Sequence, residues 1–143
     1  MYLFKTSGRT FDSVIENQLH AFSCMPRDWS PGELVPISKN KSDCNKREKQ
    51  IQYTVRLDDI RLIKAGEADK YWPGNEGRWK YLVICKDTKL IKQPFNLDEI
   101  LGDESRPYGS VMTFSKFTLS QEKMIDYPTE QNFERWGSRR ASI

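Results

Sequence analysis

Residues 50–57 constrain the fold of this chain more than any other stretch. Ile51, Tyr53, Val55 and Leu57 alternate with Gln52, Thr54 and Arg56. Successive side chains of an extended strand point to opposite faces, so the segment carries one apolar and one polar face. A strand of that kind belongs to a sheet with one face on a core and the other toward water. Further extended segments are expected at 1–6 (Tyr2, Leu3, Phe4), at Glu33 to Ser38, at Trp79 to Lys86, at Lys89 to Phe95 and at Val111 to Phe117, and Ile60 to Ile63 extends or follows the central strand. Pro36 lacks an N–H to give a ladder, which predicts an edge or irregular position for its strand.

Helical signals are fewer. Phe11, Val14, Ile15, Leu19 and Phe22 recur at three and four residues, which predicts a helix capped by Thr10 or Asp12 and running to about Phe22. Asn96 with Glu99, and Thr118 with Gln121, have the spacing of capping boxes and predict short helices through Leu101 and Ile125. Residues 23–32, 66–78 and 102–110 carry the proline and glycine of loops. The sum is an α+β chain: five or six short, mostly antiparallel strands in a bent sheet or small barrel, with short helices outside. Residues 1–125 form the domain, and 126–143, with Trp136, Arg139 and Arg140, read as a polar tail.

A chain of 143 residues suits one domain and can bury a core without disulfides or metal. Cys24, Cys44 and Cys85 are odd in number and show no CxxC spacing, so reduced thiols in a cytoplasm are expected. Met1-Tyr2-Leu3-Phe4 is followed at once by Lys5, too short for a signal segment, and no apolar run approaches a membrane span.

Catalytic constellations are hard to assemble from these residues. His20 is the single histidine, and a hydrolytic triad would need it. Asp58 and Asp59 are a conceivable magnesium pair for a nuclease, but neighbours on a strand face opposite ways. Phosphate loops of the GxxxxGK or GxGxxG type are absent. No intrinsic enzyme, no metal and no cofactor are expected.

Two features point instead to binding. Lys39, Lys41, Lys46, Arg47 and Lys49 crowd one loop, which reads either as solvated surface or as a phosphate-contacting patch. Trp29, Tyr71, Trp72 and Trp79 stand in polar, loop-rich surroundings. Rings that flank one loop, as Trp72 and Trp79 do, can pack under that loop, or sandwich a planar base or cage a methyl group.

The order of segments resembles the EVE family of the PUA-like superfamily, relatives of the YTH readers of methylated bases. The matching residues are Lys5-Thr6-Ser7 at the end of the first strand, then Ala21-Phe22-Ser23, then Pro31-Gly32-Glu33-Leu34-Val35-Pro36-Ile37-Ser38. Ile51-Gln52-Tyr53-Thr54-Val55, Arg78-Trp79-Lys80-Tyr81-Leu82-Val83, Gln93 to Leu101 and Phe117 to Glu122 continue the series. Glu33 stands where the family has Asp, and Phe22 where a tryptophan is common. The resemblance implies a PUA-like, EVE-like bent β-barrel that receives a modified base flipped out of DNA or RNA. It places Thr6, Ser7, Phe22, Ser23, Ser38 and Trp79 around the base, and the loop argument adds Trp72. Lys39, Lys41, Lys46 and Arg47 would hold phosphates. It also implies a partner nuclease or other effector, in a restriction or defence setting. The alternatives are an unmodified-RNA binder of PUA-like type, a protein-interaction module, or a metal-dependent nuclease using Asp58 or Asp59.

Overall fold

The computed structural model describes residues 1–7, 10–109 and 114–126. The expected tail beyond Asp126, with Trp136, Arg139 and Arg140, lies outside them, as does the start of the last expected strand. Six strands form one sheet: β1 (Tyr2–Thr6), β2 (Leu19–Phe22), β3 (Leu34–Lys39), β4 (Ile51–Leu62), β5 (Tyr81–Phe95) and β6 (Phe114–Lys116). Their order across the sheet is β2-β5-β4-β3-β1-β6. Among the described residues only β1 and β3 run parallel, with Phe4 beside Ile37 and Thr6 beside Lys39. The helices are α1 (Phe11–Asn17), α2 (Glu67–Tyr71), α3 (Leu97–Leu101) and α4 (Leu119–Asp126).

Alternation along the strands sorts the side chains into two layers. Tyr2, Phe4, Phe22, Val35, Ile37, Val55, Leu57 and Val83 form the inner core, joined by Phe11 and Val14 of α1. Strands from both ends of the sheet meet there: the rings of Phe22 on β2 and Phe114 on β6 have centroids 4.9 Å apart. The sheet is therefore curled into a half-barrel. Register shifts between β4 and β5 relieve the pleat along the curl. At one of them Asp87 takes a left-handed conformation, φ 52°. On the outside, Leu3, Ile51, Ile91 and Phe95 pack beneath Leu97, Leu101 and Ile125 of the late helices.

The expected α+β half-barrel is thus present, with local differences. The first helix stops at Asn17, and Leu19–Phe22 is a strand. Gln18 caps the helix in the left-handed conformation, its N–H directed at the Ser13 and Val14 carbonyls. Leu19 and Phe22 fit a helical period, but His20 and Phe22 also alternate with Leu19 and Ala21, and pairing with β5 selects that reading. The two strands expected over 79–95 are one 15-residue strand. The loop expected at 66–78 contains α2. Of the two positions expected for β3, the irregular one is found: the strand is interior, its register with β4 shifts between Ile37 and Ser38, and pairing with β1 starts only at Ile37, which leaves Pro36 out of that ladder. The Thr118 box forms as expected: Gln121 N donates to Thr118 Oγ1 at 3.2 Å and Thr118 N to Gln121 Oε1 at 3.1 Å. At α3 the Asn96 carboxamide oxygen instead accepts from Gln50 N, and Gln50 Oε1 accepts from Leu97 N, tying the helix to β4.

Candidate functional site

The parallel pair β1 and β3 ends at one place, and the chain leaves it by two different turns. After β1, the Ser7 carbonyl accepts from Thr10 N and Phe11 N, which starts α1 directly over the strand end. After β3, Asn40 N donates to the Thr6 carbonyl at 3.1 Å, and the chain enters the basic loop. Asn45 organises that loop: its side-chain oxygen accepts from Arg47 N at 2.9 Å and Glu48 N at 3.0 Å.

Thr6, Lys39 and Tyr53 lie on the inner face at this end, with Phe11 of α1 above them. The Phe11 and Tyr53 rings meet edge to face with centroids 6.1 Å apart. Lys39 Nζ sits 4.9 Å from the Phe11 centroid and 2.7 Å from Glu48 Oε2. The Glu48 hydrogen bond raises the Lys39 pKa, and the Lys39 hydrogen bond, with those from Gln52 and Asn45, holds the Glu48 carboxyl below its usual range. Lys39 is therefore a fixed cation, not a nucleophile. Thr6 Oγ1 donates to the Ser38 carbonyl at 2.9 Å, which commits its proton and leaves its lone pairs as acceptors.

The sequence-predicted residues divide into three groups. Thr6, Ser7, Ser38 and Lys39 come together here, although Ser38 contributes its carbonyl: it stands beside Lys5, and alternation turns both side chains away from the inner face. Lys41, Lys46 and Arg47 are exposed on the adjoining loop. Lys41 approaches Asp98 at 3.7 Å, while Lys46 and Arg47 form no ion pair with a described residue. Phe22 is fully buried between Phe4 and Phe114, so no face of it is free for a base. Trp72 and Trp79 lie on the outer face with Ala21 and Leu82, across the sheet from Phe22. Ser23 follows Phe22 on β2, running away from Thr6. The seven-residue set thus does not form one ring of contacts.

The two tryptophans pack on each other, centroids 5.3 Å apart at 67°, with Tyr71 against Trp72 at 62°. These edge-to-face contacts fill the space that parallel plates would leave for a base. Arg78 stacks over Trp79 at 5.3 Å. Trp29 packs on the inner core under its own loop. The residues that sequence reasoning missed are Phe11 and Tyr53. Each was counted as part of an apolar face, and only the fold shows that both faces end beside the basic loop.

His20 is buried at the seam where the curled sheet approaches closure. Its Nε2 lies 2.8 Å from the Lys5 carbonyl oxygen, and its Nδ1 accepts from Ala21 N at 2.8 Å. Burial pushes its pKa down to about 4, so the ring is neutral with the proton on Nε2. Asp58 pairs with Lys86 at 3.5 Å and Asp59 Oδ1 accepts from Ile60 N at 2.8 Å. Among the described residues no group of three or more His, Cys, Asp and Glu side chains is placed to hold a metal ion. No helix among them is long and apolar enough to cross a membrane.

No family model matches the chain, and no curated protein does. Solved structures do match in fold. An ASCH protein from Zymomonas mobilis superposes with a TM-score of 0.57 at 10% identity, covering 87% of this chain and 92% of that one. A tyrosine-to-phenylalanine mutant of the Zymomonas mobilis protein gives 0.59 at 11% identity, covering 87% and 94%. At such identities the likeness is one of fold: this chain shares the curled α+β half-barrel of those ASCH structures, and the narrower EVE assignment gains nothing from the comparison.

Proposed function

We propose that this protein binds nucleic acid at the joint end of β1 and β3, with an unpaired base against the half-buried Tyr53 and phosphates on the basic loop. The observation that carries the reading is the convergence of three different features at one edge of the half-barrel. The half-buried Tyr53 ring, backed by the buried Phe11 and Thr6, lies on the inner face beside the ion-paired Lys39, and Lys46 and Arg47 are exposed on the adjoining loop. Aromatic faces receive bases and cations hold phosphates, and the two have to be adjacent to engage one nucleotide. The resemblance to the PUA-like superfamily supports the same reading.

The finer proposal is that the base is modified, by a methyl or larger group, and is turned out of its strand. The protein then acts as a reader that delivers nucleic acid to an effector such as a nuclease on another chain.

The test is a fluorescence anisotropy titration with labelled single- and double-stranded oligonucleotides carrying one central base, unmodified, methylated or hydroxymethylated. The modified-base reading expects a preference of about tenfold, ~1.4 kcal/mol, for one modification. Equal affinity for all would leave an unmodified-RNA or DNA binder, and no affinity for any would turn the assignment toward a protein partner.

A further inference from the structure

The Glu48 carboxylate occupies a complete set of anion donors. Lys39 Nζ donates to Oε2 at 2.7 Å, Gln52 Nε2 donates to Oε2 at 3.2 Å, and Asn45 N donates to Oε1 at 3.3 Å. An ammonium, a side-chain amide and a backbone N–H converging on one pair of oxygens is a donor set that fits a phosphate equally well.

Two of the donors are held in place by other partners. The Lys39 ammonium rests over the Phe11 ring, and Gln52 Nε2 also donates to the Lys49 carbonyl at 2.9 Å. Lys39 Nζ and Gln52 Nε2 therefore each retain a second contact when the carboxylate leaves. Glu48 itself stands on the irregular stretch between the 3₁₀ turn Lys41–Asp43 and β4, with its side chain 26% exposed. Its side chain can rotate toward solvent without breaking a strand or helix. Lys46 and Arg47, two residues and one residue before it, supply the positive field that draws an incoming phosphate and offsets the charge of the displaced carboxylate.

We infer that Lys39, Gln52 and the Asn45 N–H form a phosphate subsite, which Glu48 fills in the free protein and vacates for a backbone phosphate of nucleic acid. The inference deepens the nucleic-acid reading and rests on it for the identity of the phosphate. Glu48 then acts as an internal competitor. It blocks weak anions and lets in a phosphate whose neighbours are engaged by the loop.

The experiment compares wild type, Glu48→Gln, Glu48→Ala and the double variant Glu48→Gln with Lys39→Ala, all as the full chain. One arm titrates inorganic phosphate and follows the Asn45 backbone and Gln52 side-chain amide resonances by NMR. The other titrates a labelled single-stranded oligonucleotide by anisotropy. Both single variants are expected to tighten phosphate and oligonucleotide binding about fivefold, the size of one exposed ion pair that no longer competes. The Lys39 change is expected to remove that gain. Unchanged or weaker phosphate binding in both Glu48 variants overturns the subsite. Tighter phosphate binding with no oligonucleotide binding by any variant supports the subsite and defeats the nucleic-acid reading. Oligonucleotide binding that is equal in wild type and both Glu48 variants does the reverse.

Discussion

His20 Nε2 hydrogen-bonds the Lys5 carbonyl across the seam of the half-barrel, 2.8 Å away, although β1 and β2 are not neighbours in the sheet. The buried site accepts only the neutral ring, because Nδ1 must keep a lone pair for Ala21 N while Nε2 donates to the Lys5 carbonyl. With the folded pKa near 4 and the ordinary value 6.5, the unfolded chain takes up a proton that the folded chain refuses as pH falls between those values. Stability is therefore complete above about pH 6.5 and declines toward pH 4, by about 3 kcal/mol in all at ~1.4 kcal/mol per pH unit. Urea unfolding from pH 7.5 to 4 measures it. His20→Gln, which keeps an amide donor and cannot titrate, is expected to lose most of that slope. A slope equal to wild type would assign the pH dependence elsewhere.

Thiol reactivity gives an independent view of the core. Cys24 is exposed, Cys44 half-buried and Cys85 buried, with burial pushing the Cys85 thiol up to about 12. A thiol-disulfide reagent at pH 8 is expected to label Cys24 first and Cys44 more slowly, because burial also raises its pKa. Cys85 is expected to react only at the rate of unfolding. Rapid labelling of all three by mass spectrometry would contradict the packing of β5 against β4.

How far the chain could be read without coordinates depended on whether one period or two fitted a segment. Residues 51–57 fit only the strand period and are a strand, although a register shift between Ile51 and Tyr53 turns Ile51 to the face opposite Tyr53, Val55 and Leu57. Residues 19–22 fit both, and the deciding facts, the left-handed Gln18 and the pairing of His20 with Val83, are tertiary. The site was legible in part for a similar reason. The basic loop, Lys39 included, stands out as a run of charge, while only the family resemblance points to Thr6 and Ser7; the fold sets these residues side by side at one strand end. Trp72 and Trp79 are near Phe22 in any linear account of β2 and β5, but alternation places Ala21 and Phe22 on opposite faces, and that one-residue step separates them. Tyr53 carries no sequence mark that distinguishes a core ring from a ring at the rim, and Phe11 behind it is a core ring.

Trp72 tests the outer layer. It is buried, yet its Nε1 has no hydrogen-bond partner among the described residues. Replacement by Phe forfeits part of the ring and no hydrogen bond, so it is expected to cost under about 2 kcal/mol, whereas Trp72→Ala leaves a cavity worth ~3–5 kcal/mol. Chemical denaturation measures both. Since the ring lies across the sheet from Thr6 and Tyr53, Trp72→Phe is expected to leave oligonucleotide affinity unchanged. A clear loss of affinity in a stably folded Trp72→Phe would move the base to the outer face and revive the tryptophan pair as its receptor.

The basic loop and the aromatic rim make separable contributions. Lys46 and Arg47 touch phosphate in the proposed complex, and each such contact to a single strand releases counterions worth about −0.7 in the slope of log affinity against log salt. Lys46→Ala with Arg47→Ala is therefore expected to flatten that slope by about 1.4 and to weaken all sequences alike. Tyr53→Ala removes a stacking face, worth ~1–3 kcal/mol, without changing charge. Its loss of affinity is expected to persist at every salt concentration and to fall on the preferred base more than on others. Anisotropy titrations between 50 and 300 mM salt, on the order of the range where counterion release is resolved, distinguish the two patterns. If Tyr53→Ala behaved like the loop variant, the ring would serve only to position Lys39 through Phe11, and the base would have to be received elsewhere.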